Sequence, residues 1–234
     1  MGYQLWIPDA LRKFQLKVEL EPGWETRGSI NFNPQGVVAH HTGSNGDVRL
    51  TLRDGRQNLS GPLCNVQFCR DGSCRVIAAG RANHAGKGGY RGLSHNGQVL
   101  GIEADSDGSS WTPAQRELYP VLVAALLSGI GRDESWCCGH KEWAPQRKPD
   151  PGNWSMDDMR RQVGERLRKR DLPRRRLPDM VLFWHSGALY VTNGLQRSPH
   201  GLAPAQAEAL KAAGAPVIGD PGKPNPLFDL PVAK

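Results

Sequence analysis

Three short segments of this sequence carry residue types suited to chemistry. His40-His41-Thr42 closes the apolar run Gly36-Val37-Val38-Ala39, Gly139-His140-Lys141 lies much further along, and Asp150 sits between two prolines in Arg147-Lys148-Pro149-Asp150-Pro151-Gly152. Two imidazoles and one carboxylate make three N/O ligands with a fourth position open, the donor set a catalytic zinc requires. The same side chains could instead be satisfied by ordinary hydrogen bonds, the commoner fate of a single buried histidine.

Such a site needs elements to hold it. Gly36–His40 reads as a buried strand ending at the first histidine, and Val99–Ala104 (VLGIEA) reads as another. Leu63–Phe68 and Arg75–Ala79 read as a strand pair across a tight Asp71-Gly72 turn, a register that sets Cys69 opposite Cys74. That pair could bridge in an oxidising medium, but reduced thiols are the expected state, and Cys137-Cys138 reads as buried packing. Residues 80–98, rich in Gly, Asn and His, predict a long loop. A short helical pattern covers Pro8–Leu16. The clearest helix has Thr112 as cap, Pro113 at its first position and Gln115 completing a capping box. Its stripe is Leu118, Leu122, Ala125 and Leu126; Pro120 predicts a bend and Gly129 a stop. A second helix begins at Ser155, has Asp157 and Asp158 in its first turn, buries Met156, Met159, Val163 and Leu167, and ends at Leu172-Pro173.

VVAHHTG, ANHAG, LGIEAD and GHKEWAPQRKPDPGNW together resemble the zinc-dependent N-acetylmuramoyl-L-alanine amidases, a family that includes phage endolysins, muropeptide amidases and peptidoglycan recognition proteins. The resemblance spans about residues 24–165. It implies an α/β fold, a mixed central β-sheet flanked by helices with a zinc in a surface groove. It implies Zn2+ held by His40, His140 and Asp150, with Glu103 as general base and Lys148 polarising the scissile carbonyl. His84, beside the glycine-rich loop, is expected to touch substrate, with a structural role the alternative. His41 should face away from His40, since strand side chains alternate. Asp105 and Glu142 are neighbouring carboxylates that could be mistaken for the base, and Glu142 is expected to steady the loop around Lys141 and Trp143. Gln146 stands where the family often has Gly.

The 234 residues carry a formal net charge of +7. All of the excess falls in residues 160–176, which hold nine Lys or Arg and two Asp or Glu. A nucleic-acid binder would spread such charge over a folded face with aromatics between, so no nucleic acid is expected as partner. A solvated helix face running into a linker is one reading of the stretch, attraction of anionic wall polymers another. Domains are expected at 1–169 (catalytic), 170–177 (basic linker) and 178–234. The last is a small module with a hairpin over Met180–Asn193 about Ser186-Gly187, a helix over Ala205–Ala213 and an irregular tail. A chain ending near Gln162 should still cut soluble muropeptides but bind and lyse intact walls less well. No apolar run is long enough for a membrane helix, and the first residues show no signal-peptide pattern. The expectation is a peptidoglycan hydrolase, an endolysin made in a host cytoplasm that reaches the wall after release. The alternatives are a cytosolic recycling amidase, a recognition protein that binds without cutting and, from a third class, a nucleic-acid-binding protein that uses the arginine stretch and would show strictly salt-dependent DNA binding.

Overall fold

The computed structural model describes residues 2–171, 181–186, 188–192, 201–212 and 217–218. In chain order the elements are α1 (Ile7–Lys13), β1 (Val18–Leu20), β2 (Gly36–His41), α2 (Arg49–Asp54), β3 (Gly55–Arg56), β4 (Leu59–Ser60), β5 (Val66–Phe68), β6 (Cys74–Val76) and β7 (Val99–Ala104). Next come α3 (Pro113–Gly129), β8 (Cys137–Gly139), α4 (His140–Trp143), α5 (Met156–Asp171), β9 (Val181–His185), β10 (Ala188–Thr192), α6 (Pro204–Ala212) and β11 (Val217–Ile218). Contacts divide the chain into Met1–Lys169 and Arg170–Lys234.

The first unit is built on a six-stranded mixed sheet in the order β1-β6-β5-β7-β2-β8, as the α/β expectation required. Only β5 and β6 run antiparallel; β2 pairs in parallel with both β7 and β8. Alternation along the strands separates two faces. Val37 and Ala39 of β2, with Leu100, Ile102 and Ala104 of β7, enter the main core with α1, α3 and α5. Val38 and Val99 face the other way, against Ala85, Leu93, Trp143 and Ala144. His40 and Glu103 have the parity of this second face and stand side by side in the β2–β7 register. That pairing fixes the middle of the site.

α3 forms as its sequence demands: Thr112 and Gln115 exchange the two capping-box bonds, and Pro120 lies within the helix without ending it. Gly129 is the last helical residue, and it is a glycine for a packing reason, since a Cβ there would lie 2.0 Å from the Trp6 ring. α5 buries Met156, Met159 and Val163, with Leu167 packed alongside. An end near Gln162 would therefore remove part of the core, so the expectation that such a chain keeps an intact catalytic unit is corrected.

The β5–β6 register differs by one from expectation. Phe68 opposes Cys74, and Cys69 N–H donates to Ser73 carbonyl at 2.9 Å. The connection is a three-residue loop, Arg70-Asp71-Gly72, closed by Asp71 Oδ1 accepting from Ser73 N, with Gly72 at φ 84°. Cys69 and Cys74 are therefore not cross-strand partners, and all five cysteines are free thiols. Burial pushes Cys137 up to about 12, as suits packed side chains.

In the second unit, β9 and β10 form the expected hairpin and α6 comes after it. β11 adds in parallel to β9 where the sequence suggested an irregular tail; a two-residue strand carries no periodic signal. Gly187 and the linker beyond Asp171 lie outside the described residues. No helix among the described residues is long and apolar enough to cross a membrane.

Candidate active site

His40 lies at the end of β2, His140 opens α4 directly after β8, and Asp150 sits in the turn beyond α4. His40 Nδ1 is 2.9 Å from His140 Nδ1 and 3.0 Å from Asp150 Oδ2, and His140 Nδ1 is 3.1 Å from the same oxygen. All three side chains are buried.

The outer nitrogens decide what the inner ones can be. His140 Nε2 meets the Ala85 carbonyl at 2.9 Å, which can only accept, so this nitrogen carries a proton, and in the neutral ring that a metal ligand requires His140 Nδ1 is the bare nitrogen. His84 Nε2 likewise donates to the Val99 carbonyl at 3.2 Å, leaving His84 Nδ1 to accept at 3.0 Å from His40 Nε2. His40 Nδ1 is then also bare. Burial is the main cause that pulls the His40 pKa down to about 4, so the ring is neutral at pH 7. With both rings neutral, two imidazole lone pairs and a carboxylate oxygen converge with no proton to share. Buried acceptors without a donor are costly, and spacings near 3 Å are those of ligand atoms about 2 Å from one ion. The donor set fits a metal cation.

The turn bearing Asp150 is tied on three sides. Lys141 N donates to the Asp150 carbonyl at 2.7 Å, Lys141 Nζ donates to the Pro151 carbonyl, and Gly152 N donates to His41 Nδ1 at 3.1 Å. His41 has the parity opposite to His40, with its ring near Trp111. Tyr119 of α3 donates its hydroxyl to the His40 carbonyl at 2.8 Å. Arg147 bonds the Ala85 and Lys87 carbonyls, holding the acceptor of His140 in place. Glu142 accepts from Gly139 N and takes both arms of Arg160 at 2.9 Å, fastening α4 to α5.

A cavity of about 220 Å³ opens beside the cluster, lined by Glu103, Lys148, His84, His140 and Asp150 among others. Glu103 Oε1 lies 3.9 Å from His40 Nδ1, and Glu103 Oε2 is buried without a hydrogen-bond partner. Burial, aided by the Asp150 charge and opposed by Lys148, raises the Glu103 pKa well above the usual carboxylate range. Asp105 differs: Gln67 Nε2 donates to both of its oxygens, and it lines a separate hollow. All six residues singled out from the sequence therefore meet at the cluster and its cavity. His84 has both ring nitrogens engaged by protein while its ring still borders that cavity. Gly101, Tyr119 and Arg147 were not singled out as site residues, though they position those that were. The Gly inside VLGIEA was a signal, because glycine within a strand marks a close approach.

The family model for N-acetylmuramoyl-L-alanine amidases matches residues 31–153. The chain belongs to this family. Among solved structures it is similar to the amidase LysC from Clostridium intestinale (TM-score 0.51, 21% identity, covering 63% of this chain and 97% of that one). It is also similar to a selenomethionine AmpD derivative (TM-score 0.49, 23%, 63% and 94%). A third is AmiD from E. coli, in complex with the substrate anhydro-N-acetylmuramic acid-L-Ala-D-gamma-Glu-L-Lys (TM-score 0.48, 22%, 62% and 65%). No curated protein matches the chain. The amidase's matched segment contains every residue of the cluster and its cavity-facing Glu103 and Lys148.

Proposed function

We propose that this amidase hydrolyses the bond between the lactyl group of N-acetylmuramic acid and L-alanine, with zinc held by His40 Nδ1, His140 Nδ1 and Asp150. The observation that carries the reading is the convergence of the two Nδ1 atoms with Asp150 beside the unpartnered Glu103 Oε2. Zinc, when bound, supplies Lewis acidity that makes water nucleophilic at neutral pH. Glu103 takes the proton from that water as its oxygen attacks the carbonyl carbon, and passes the proton to the alanine nitrogen as the C–N bond breaks. Lys148 faces the same cavity and stabilises the oxyanion that develops on the former carbonyl oxygen.

The extra C-terminal unit and the basic stretch 160–176 support a lytic enzyme of the endolysin kind, one that acts on the cell wall after release and is held there by anionic wall polymers. The test is digestion of purified cell wall with the zinc-loaded protein, assayed for new L-alanine amino termini and new reducing sugars. Free alanine amines without reducing ends are expected; reducing ends without amines would make the protein a glycosidase and end this reading.

A further inference from the structure

Two cationic side chains line the cavity beside the histidine–aspartate cluster, Lys148 and Arg56. Lys148 has its role at the scissile carbonyl; Arg56 has none. The guanidinium of Arg56 is exposed and makes no hydrogen bond or ion pair among the described residues, whereas its neighbours Arg49 and Arg53 are both paired with Glu21. Arg56 nevertheless lies near enough to Glu103 for its charge to act on that carboxyl. Arg56 is thus a cation at the rim of the site that is free to pair with an anion from outside the protein.

The arginine is also held on a stiff mount. It ends β3, whose two-residue ladder with β4 is closed by Gly55 and Gly61. A Cβ on Gly55 would lie 2.3 Å from Gly61 N, and one on Gly61 would lie 2.4 Å from the Arg53 carbonyl oxygen, so backbone packs on backbone there. Leu63 N donates to the Leu52 carbonyl at 2.7 Å, and Leu52 and Leu63 form a small apolar cluster that also walls the cavity. The hairpin therefore presents Arg56 from a fixed base, which reduces the ordering cost of binding.

We infer that Arg56 is a specificity-determining residue that binds the free α-carboxylate of the second stem-peptide residue through its guanidinium fork. This rests on the muramyl-peptide reading above. In such substrates the residue after L-alanine is a glutamate joined through its side-chain carboxyl, so its α-carboxyl is left as a carboxylate or, in some walls, as an amide. That group lies within about two residues' reach, roughly 7 Å, of the scissile bond. A planar guanidinium matches a carboxylate with two parallel charge-assisted bonds; an amide offers one acceptor and no charge.

The test compares two synthetic muramyl tripeptides that differ only in an α-carboxylate or an α-carboxamide at the second residue. The zinc-loaded protein should favour the acid by roughly tenfold or more in kcat/KM. Arg56→Ala should collapse that preference, mainly through KM, with zinc content unchanged; Arg56→Lys should keep part of it. Calorimetric affinities for the two free peptides give the same comparison without turnover, so a failure of the cleavage reading is told apart from a failure of this one. Equal affinity of the unaltered protein for acid and amide, or an equal loss on both peptides in Arg56→Ala, would overturn the assignment.

Discussion

A Cβ on Gly101 would fall 2.4 Å from Cγ of the His84 imidazole. The glycine in the middle of β7 is therefore the floor on which that ring lies, and the ring in turn fixes the proton on His40 Nε2. Gly101→Ala must push His84 away from the Val99 carbonyl or from His40. Loss of such an outer partner weakens metal binding by roughly 10- to 100-fold. Competition titration with a zinc chelator reads this directly; an affinity within a factor of two of the unaltered protein would show that His84 does not position His40.

That relationship marks where the sequence stopped being legible. His40, His140 and Asp150 were readable because ligand types recur with a rigid turn, and β2, β7 and α3 because burial period and capping are local signals. The role of His84 depends on a ring meeting a glycine of another strand, a contact with no local signature. The β5–β6 register slipped by one because Asp71-Gly72 suits both a two-residue and a three-residue loop; Asp71 Oδ1 bonding Ser73 N decides for the latter. β1, β3, β4 and β11, at two or three residues each, are too short to show a period at all.

Metal and chemistry should separate by mutation. His140→Ala removes one of three ligand atoms and is expected to lose both zinc and activity while the fold persists. Glu103→Gln and Lys148→Ala should keep zinc, and turnover should fall roughly 10²-fold or more in each. Elemental analysis alongside amine release distinguishes the classes. Near-normal turnover in Glu103→Gln would pass the base to another group.

Asp105 predicts a pH dependence of stability away from the metal site. Burial raises its pKa to about 6 from 3.8, against the hydrogen bond from Gln67; Asp47 raises it further, and Arg75 and Arg70 oppose. A raised carboxyl pKa means the fold favours the protonated form. Its contribution is complete below about pH 4 and is lost as the pH rises through about 6. Asp105→Asn should therefore flatten the stability profile between those values and gain roughly 2 kcal/mol at pH 8, after allowance for solvent screening. Urea melts at pH 4, 6 and 8 measure it, and a variant that is less stable at pH 8 would refute the sign.

Arg160 of α5 bonds both Glu142 oxygens at 2.9 Å, and Glu142 Oε2 also accepts from Gly139 N. A lysine keeps the charge but not the fork. Arg160→Lys should cost about 1–2 kcal/mol, and zinc affinity should weaken with it because His140 directly succeeds Gly139. Chemical denaturation of the metal-free protein separates the two effects; unchanged stability would reduce the clamp to a surface ion pair.

Val163 and Leu167 of α5 belong to the catalytic core, so the informative truncation ends at Asp171 rather than near Gln162. That chain contains every residue of the cluster and the cavity, and should cut soluble muramyl peptides at close to the full-length rate. It lacks Arg174, Arg175, Arg176 and the second unit, and should bind intact walls less well. If electrostatic attraction to anionic polymers is the cause, the gap between the two proteins narrows as salt rises from about 0.01 M to 0.15 M, where the screening length falls from about 30 to 8 Å. A gap that persists at high salt assigns retention to specific contacts of the second unit instead. Equal wall binding at low salt would mean that neither Arg174, Arg175 and Arg176 nor that unit targets the enzyme.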